Sequence, residues 1–186
     1  MLRRVTSQAL LSGISFRRPL RLNCFVLLFL FVLILPACVQ KAERNPNSFV
    51  VSSIGDARRL NPLLANDSAS ATINDQIFNG LVKYDKDIKL VGDLAERWDI
   101  SSDGKVITFH LRKGVTWHDG ADFTAEDCLF TYQKLMDPKV ATPYGSSYMD
   151  VKKAEVIDRL TFRVTYKEPF SPALESWSMG VIPKHL

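Results

Sequence analysis

The sequence has 186 residues, with 24 Lys+Arg, 20 Asp+Glu, 46% hydrophobic and 10% aromatic residues. That balance excludes collagen-like, low-complexity and wholly disordered chains. The net charge of +4 is unevenly placed: residues 1–37 hold five arginines (Arg3, Arg4, Arg17, Arg18, Arg21) and no acid, and the remainder sums to −1. The bulk of the chain offers no electrostatic footprint for DNA or RNA, so no nucleic-acid partner is expected.

The arginines precede an unbroken apolar run of 14 residues, 24–37. A membrane-spanning helix needs about 20 such residues. Arginines, a short apolar run and a small-residue site, in that order, make a secretory signal peptide. The site reads Leu35-Pro36-Ala37-Cys38 and resembles a bacterial lipobox, whose cysteine sulfur receives a diacylglyceryl group as the signal is cut before it. A lipoprotein-type signal over residues 1–37 and lipidation of Cys38 are therefore expected. A plain secretory signal with an incidental cysteine and an uncleaved anchor of slightly extended length are the other readings of the same residues. Residues 38–48, with Pro46, then suit a flexible tether. Cys24 leaves with the signal and Cys38 carries lipid, so Cys128 has no partner for an intrachain disulfide. Its place on the apolar side of a predicted helix makes it core.

Residues 49–54 form a β-branched run that reads as a buried strand, ended by Gly55. Asn61-Pro62 excludes helix locally. A helix is expected over residues 68–79, with Ile73, Ile77 and Leu81 on one stripe and Gly80 as its stop. Residues 81–84 and 88–91 flank Asp85-Lys86-Asp87 as a hairpin. Residues 97–100 and 106–111 follow as strands around the Asp103-Gly104 turn, with Ile107, Phe109 and Leu111 on one face. Asp119-Gly120 is another turn. The clearest helix covers residues 125–136, with Thr124 and Asp127 as a capping box and Leu129, Tyr132 and Met136 on one stripe. Cys128 and Leu135 lie beside that stripe. Residues 151–157 and 160–166 read as strands, the second alternating cleanly. Val181-Ile182 looks like a strand feeding a turn at the chain's end.

Several pieces, taken together, are more specific. Leu94-Ala95-Glu96-Arg97-Trp98, Asp103-Gly104-Lys105 and Thr108-Phe109-His110-Leu111-Arg112-Lys113-Gly114-Val115 stand in register with Trp117-His118-Asp119-Gly120 and Phe123-Thr124-Ala125-Glu126-Asp127. Leu60-Asn61-Pro62, Gly80-Leu81-Val82-Lys83-Tyr84-Asp85, Asp137-Pro138 and Ile182-Pro183-Lys184-His185 flank them in the same order. This series resembles the bacterial family 5 extracytoplasmic solute-binding proteins, the peptide-binding components of ABC importers. Each piece is also an ordinary turn, strand or helix start, so the step to function rests on the resemblance.

The resemblance implies an α/β chain of the periplasmic-binding-protein type II-like, two-lobed fold. Residues 49–78 would begin the first ligand-binding lobe, residues 79–181 would form the small α+β lobe, and residues 182–186 would return toward the first lobe. The second ligand-binding lobe would be missing from this chain. The implied function is that of a lipid-anchored, extracytoplasmic protein at the periplasm or cell surface. It would capture peptides or oligopeptides between its lobes and deliver them to ABC permease and ATPase subunits. The same family with another cargo (nickel chelate, haem, oligosaccharide) and a truncated product without transport activity are the alternatives. Asn66, Asp67 and Ser68 match a stretch that approaches the peptide backbone, although some members carry an acid where this chain has Asn66. Tyr144, after Pro143, matches a tyrosine that projects toward the ligand, its hydroxyl donating to a peptide carbonyl. Residues 66–68 also read as a helix cap, and Tyr144 as an ordinary loop aromatic.

Enzyme chemistry is not expected. His110 and His118 lie on a strand and in a turn without a carboxylate at ligand spacing, and His185 sits near the chain end, so no metal and no cofactor are called for. No nucleophile elbow, phosphate-cradling loop or His-Glu-x-x-His stands in the sequence. A secreted hydrolase would need a nucleophile–base pair that no motif supplies.

Overall fold

A computed structural model describes residues 47–48, 50, 52–53 and 55–186. The expected signal, Cys38 and most of the tether lie outside the described residues, as do Phe49, Val51 and Ile54 of the expected first strand. The described residues from 52 onward gather into one compact unit. Among the described residues no helix is long and apolar enough to cross a membrane.

The Asn61-Pro62 corner is fixed by its own atoms. The Asn61 carbonyl accepts from the Leu64 and Ala65 amides at 3.1 and 3.0 Å, and Asn61 Oδ1 accepts from the Leu63 N–H at 2.9 Å. Helix α1 follows over Ser68–Ile77, with Asp67 as its N-cap. Its buried face is polar: Ser70 and Asn74 are inside, while Ile73 and Ile77 are 41% and 37% exposed. The expected apolar stripe is therefore not the inward one. Ser70 and Asn74 bind the backbone of residues 58–59, and that anchoring turns the isoleucines outward. The helix ends at Ile77, short of the expected Asn79. Gly80 is required for a different reason: a Cβ there would collide with the Ser178 backbone.

Strands β1 (Val82–Tyr84) and β2 (Leu90–Gly92) form the expected hairpin. Strands β3 (Ala95–Ile100), β4 (Val106–Leu111), β5 (Val151–Asp158) and β6 (Thr161–Tyr166) make an antiparallel sheet in the order β3-β4-β6-β5. Gly104 supplies the positive φ of 69° in the turn between β3 and β4. Period-two alternation is realised in the two central strands: Ile107, Phe109 and Leu111 of β4 and Phe162, Val164 and Tyr166 of β6 are buried. Trp177 lies on this layer, its ring centroid 5.8 Å from Phe109, 5.2 Å from Phe162 and 5.3 Å from Tyr148. The indole N–H donates to the Tyr166 hydroxyl at 2.9 Å, which in turn donates to the Ala173 carbonyl in α3, Ala173–Ser176. The aromatic centre thus buries its polar atoms in pairs.

Helix α2 spans Ala125–Met136 as expected, and the Thr124 N–H donates to Asp127 Oδ2 at 2.8 Å. Its inward face is centred on Ala125, Cys128, Thr131 and Leu135, and Met136 is exposed. The stripe expected on Leu129, Tyr132 and Met136 is displaced because Asp127 and Thr131 face the chain's last residues. The Ile182 N–H donates to Thr131 Oγ1 at 3.0 Å and the Lys184 N–H to Asp127 Oδ1 at 2.9 Å. Residues 181–182 therefore form no strand. Their amides are satisfied by helix side chains and, for Val181, by the Asn79 carbonyl at 2.9 Å. Lys184–Glu126 at 3.0 Å and His185–Asp119 at 2.7 Å flank the same contact.

Candidate functional site

The sequence-predicted residues sit where two loops meet, the corner of residues 58–68 and the loop of residues 140–144. Asp67 ends the corner as a cap: Oδ1 accepts from the Ser70 N–H at 2.9 Å and Oδ2 from the Ser70 hydroxyl at 2.7 Å. Those bonds, the backbone one foremost, hold its carboxyl below the usual 3.8. Ser68 is exposed, and its carbonyl accepts from the Thr72 hydroxyl at 2.8 Å. Asn66 is exposed and faces an open groove of about 490 Å³.

Tyr144 is half-buried, and its hydroxyl donates a short hydrogen bond to the Ala65 carbonyl. This bond joins the two loops, so the structure brings Tyr144 beside residues 66–68, with the hydroxyl's one proton on the Ala65 carbonyl and not, as expected, directed to a peptide carbonyl. Its N–H is held by Thr142 Oγ1 at 3.2 Å. The ring borders a second cavity, of about 300 Å³, with Asn74, Asp75, Tyr148, Glu175 and Ser176 on its walls. Burial pushes the Tyr148 phenol well above its usual pKa, so it stays a neutral donor to the Ser176 carbonyl at 2.6 Å.

Sequence reasoning missed the residues that make this corner rigid. Ser70 Oγ accepts from the Arg58 and Arg59 amides at 2.9 and 3.1 Å, and Asn74 Nδ2 donates to the Arg59 carbonyl at 3.3 Å. Polar residues spaced four apart on a helix are the signal that could have found them. The histidines take carboxylate partners individually, His110 with Asp99 and His185 with Asp119, both at 2.7 Å. Among the described residues no group of three His, Cys, Asp or Glu could hold a metal ion. Cys38 lies outside the described residues.

A mixed α/β chain with antiparallel sheets is part of the architecture of two-lobed periplasmic binding proteins, which its solved neighbours share. NikZ from Campylobacter jejuni, in complex with Ni(L-His), is 33% identical with a TM-score of 0.65, over 71% of this chain and 26% of that one. OppA from Haemophilus influenzae, in complex with RPPGFSPFR, is 29% identical with a TM-score of 0.66, over 70% of this chain and 29% of that one. Among curated relatives, the glutathione-binding protein GsiB of Pectobacterium atrosepticum is 38% identical over 112 residues, 60% of this chain and 22% of the relative. The GsiB of Escherichia coli is 35% identical over 123 residues, 66% of this chain and 24% of the relative. The chain thus spans about a quarter of the length of the relatives it matches. The profile of bacterial extracellular solute-binding proteins, family 5 (middle part), matches residues 89–185, just over half of the chain. The chain belongs to that family.

Proposed function

We propose that this protein is a lipid-anchored, extracytoplasmic substrate-binding component of an ABC importer, and that its cargo is a short peptide. The family match over residues 89–185 carries the reading, and the resemblance to a peptide-bound OppA and to glutathione-binding proteins supports it. Residues 66–68 and Tyr144 would line the ligand face, with the Tyr144–Ala65 bond setting their spacing. Residues 49–78 would open the first ligand-binding lobe, residues 79–181 the small lobe, and residues 182–186 the return to the first. Capture would be reversible: peptide backbone groups replace water in the closed cleft, and no covalent bond changes. Permease and ATPase subunits would receive the cargo. Cys38 would carry the lipid, which as several acyl chains on one residue holds a protein stably at a membrane. A nickel chelate is the second reading, favoured by the likeness to NikZ.

Equilibrium titration with glutathione, an unrelated tripeptide and a nickel–histidine complex tests the cargo. Saturable binding of either peptide supports the proposal, and binding of the nickel complex alone sinks it in favour of the second reading. Labelling cells with a radioactive fatty acid tests the anchor: label that is lost in Cys38→Ala is the expected result.

A further inference from the structure

We propose that the groove between residues 58–66 and the loop of residues 140–144 is an anion subsite, taking a carboxylate of the cargo on Arg58 and Arg59. The inference rests on the reading above, and deepens it by naming the chemical class the cargo must present.

The groove encloses about 490 Å³ and is open to solvent. Arg58, Arg59 and Asn66 form one wall with Leu64, and Thr142 and Pro143 stand in the other. No acidic side chain lines it. Both arginines are exposed, and neither takes part in an ion pair among the described residues. Asp67, whose carboxyl feels the Arg58 charge, is engaged by the Ser70 amide and hydroxyl and lies outside the lining. The two guanidiniums therefore stand without an ion-pair partner among the described residues, beside the face that residues 66–68 and Tyr144 share.

The groove is also preorganised. Ser70, fully buried, accepts from both arginine amides, and Asn74, 3% exposed, binds the carbonyl between that pair and Leu60. Tyr144 clamps the opposite loop to Ala65. A buried hydroxyl, a buried amide and a half-buried phenol, spent on two loops, fix the spacing of the walls before any ligand arrives. A planar guanidinium offers paired N–H donors matching the two oxygens of a carboxylate, and Asn66 adds an amide donor at the same rim.

The test uses the full chain, Arg58→Ala/Arg59→Ala, and Arg58→Lys/Arg59→Lys, which keeps the charge and removes the fork. Three probes are titrated: glutathione, its diethyl ester, whose carboxylates are masked, and succinate, followed by amide chemical shifts. The wild type should prefer glutathione over the ester by about ten- to a hundredfold, the worth of charge-assisted bonds. Succinate should shift amides of residues 58–66 and 141–143 saturably. The alanine pair should abolish both effects, and the lysine pair should retain only part. Equal affinity for glutathione and ester, or a preference that survives in the alanine pair, overturns the subsite. A saturable succinate response without binding of any peptide keeps the subsite and overturns peptide capture instead.

Discussion

Asp127 offers the sharpest prediction, because one buried carboxylate joins a helix start to the end of the chain. Oδ2 accepts from the Thr124 N–H at 2.8 Å and Oδ1 from the Lys184 N–H at 2.9 Å, and the residue is 4% exposed. In Asp127→Ala the cap contributes about 1 kcal/mol of loss. The Lys184 amide, on an exposed residue, loses its acceptor, which adds about 0.5–1.5 kcal/mol. The total is about 1.5–2.5 kcal/mol, which for a unit of this size lowers Tm by roughly 5–10 °C. Asp127→Asn keeps one carbonyl acceptor, so about half the effect is expected. Urea unfolding followed by circular dichroism gives both numbers. A loss below about 1 kcal/mol in the alanine variant, or an asparagine variant as damaged as the alanine one, would refute the two-ended role.

Trp117 and Trp177 form a matched pair, since the Trp177 indole N–H bonds Tyr166 and the buried Trp117 N–H has no partner among the described residues. Trp177→Phe should therefore cost about 1 kcal/mol more than Trp117→Phe in the same urea assay, because only the first removes a buried hydrogen bond. Gly80→Ala drives a methyl into the Ser178 backbone, and about 1–3 kcal/mol of destabilisation is expected from thermal unfolding. Desolvation raises the buried Cys128 thiol well above its usual range, so a thiol reagent at pH 8 should react with it only as fast as the protein unfolds. Asp67, Asp103, Asp119 and Asp158 are all held below 3.8 by hydrogen bonds, chiefly from Ser70, Ser101, His185 and Leu160 respectively. A lowered carboxylate stabilises the fold above its unfolded value and loses that stability as pH falls through the folded one. The midpoint urea concentration should thus be flat from pH 7 to about 5 and decline below about 4, less steeply in Asp67→Asn.

What was legible in the sequence was what depends on local pattern. The alternation of Ile107, Phe109 and Leu111, the Thr124–Asp127 start of α2 and the Asp137-Pro138 stop are one-dimensional signals, and the structure follows them. The inward face of α1 was not legible, because apolar spacing pointed to Ile73 and Ile77. The deciding term was tertiary: the amides of residues 58–59 needed an acceptor, which Ser70 supplied, and the Arg59 carbonyl took a donor from Asn74. The same reason displaced the face of α2 and turned the expected strand at residues 181–182 into a segment bonded by Thr131 and Asp127. At the candidate site, Tyr144 and residues 66–68 came from resemblance alone. Their bond through Ala65 joins residues 79 apart, and no periodicity reports such a contact.

Hydrogen exchange with and without saturating peptide tests the central claim most directly, because it reads where the cargo sits. Capture at the corner predicts slowed amides over residues 64–70 and 142–145, with the β4–β6 ladder unchanged. Peptide binding that slows exchange elsewhere and leaves both loops untouched would contradict the account.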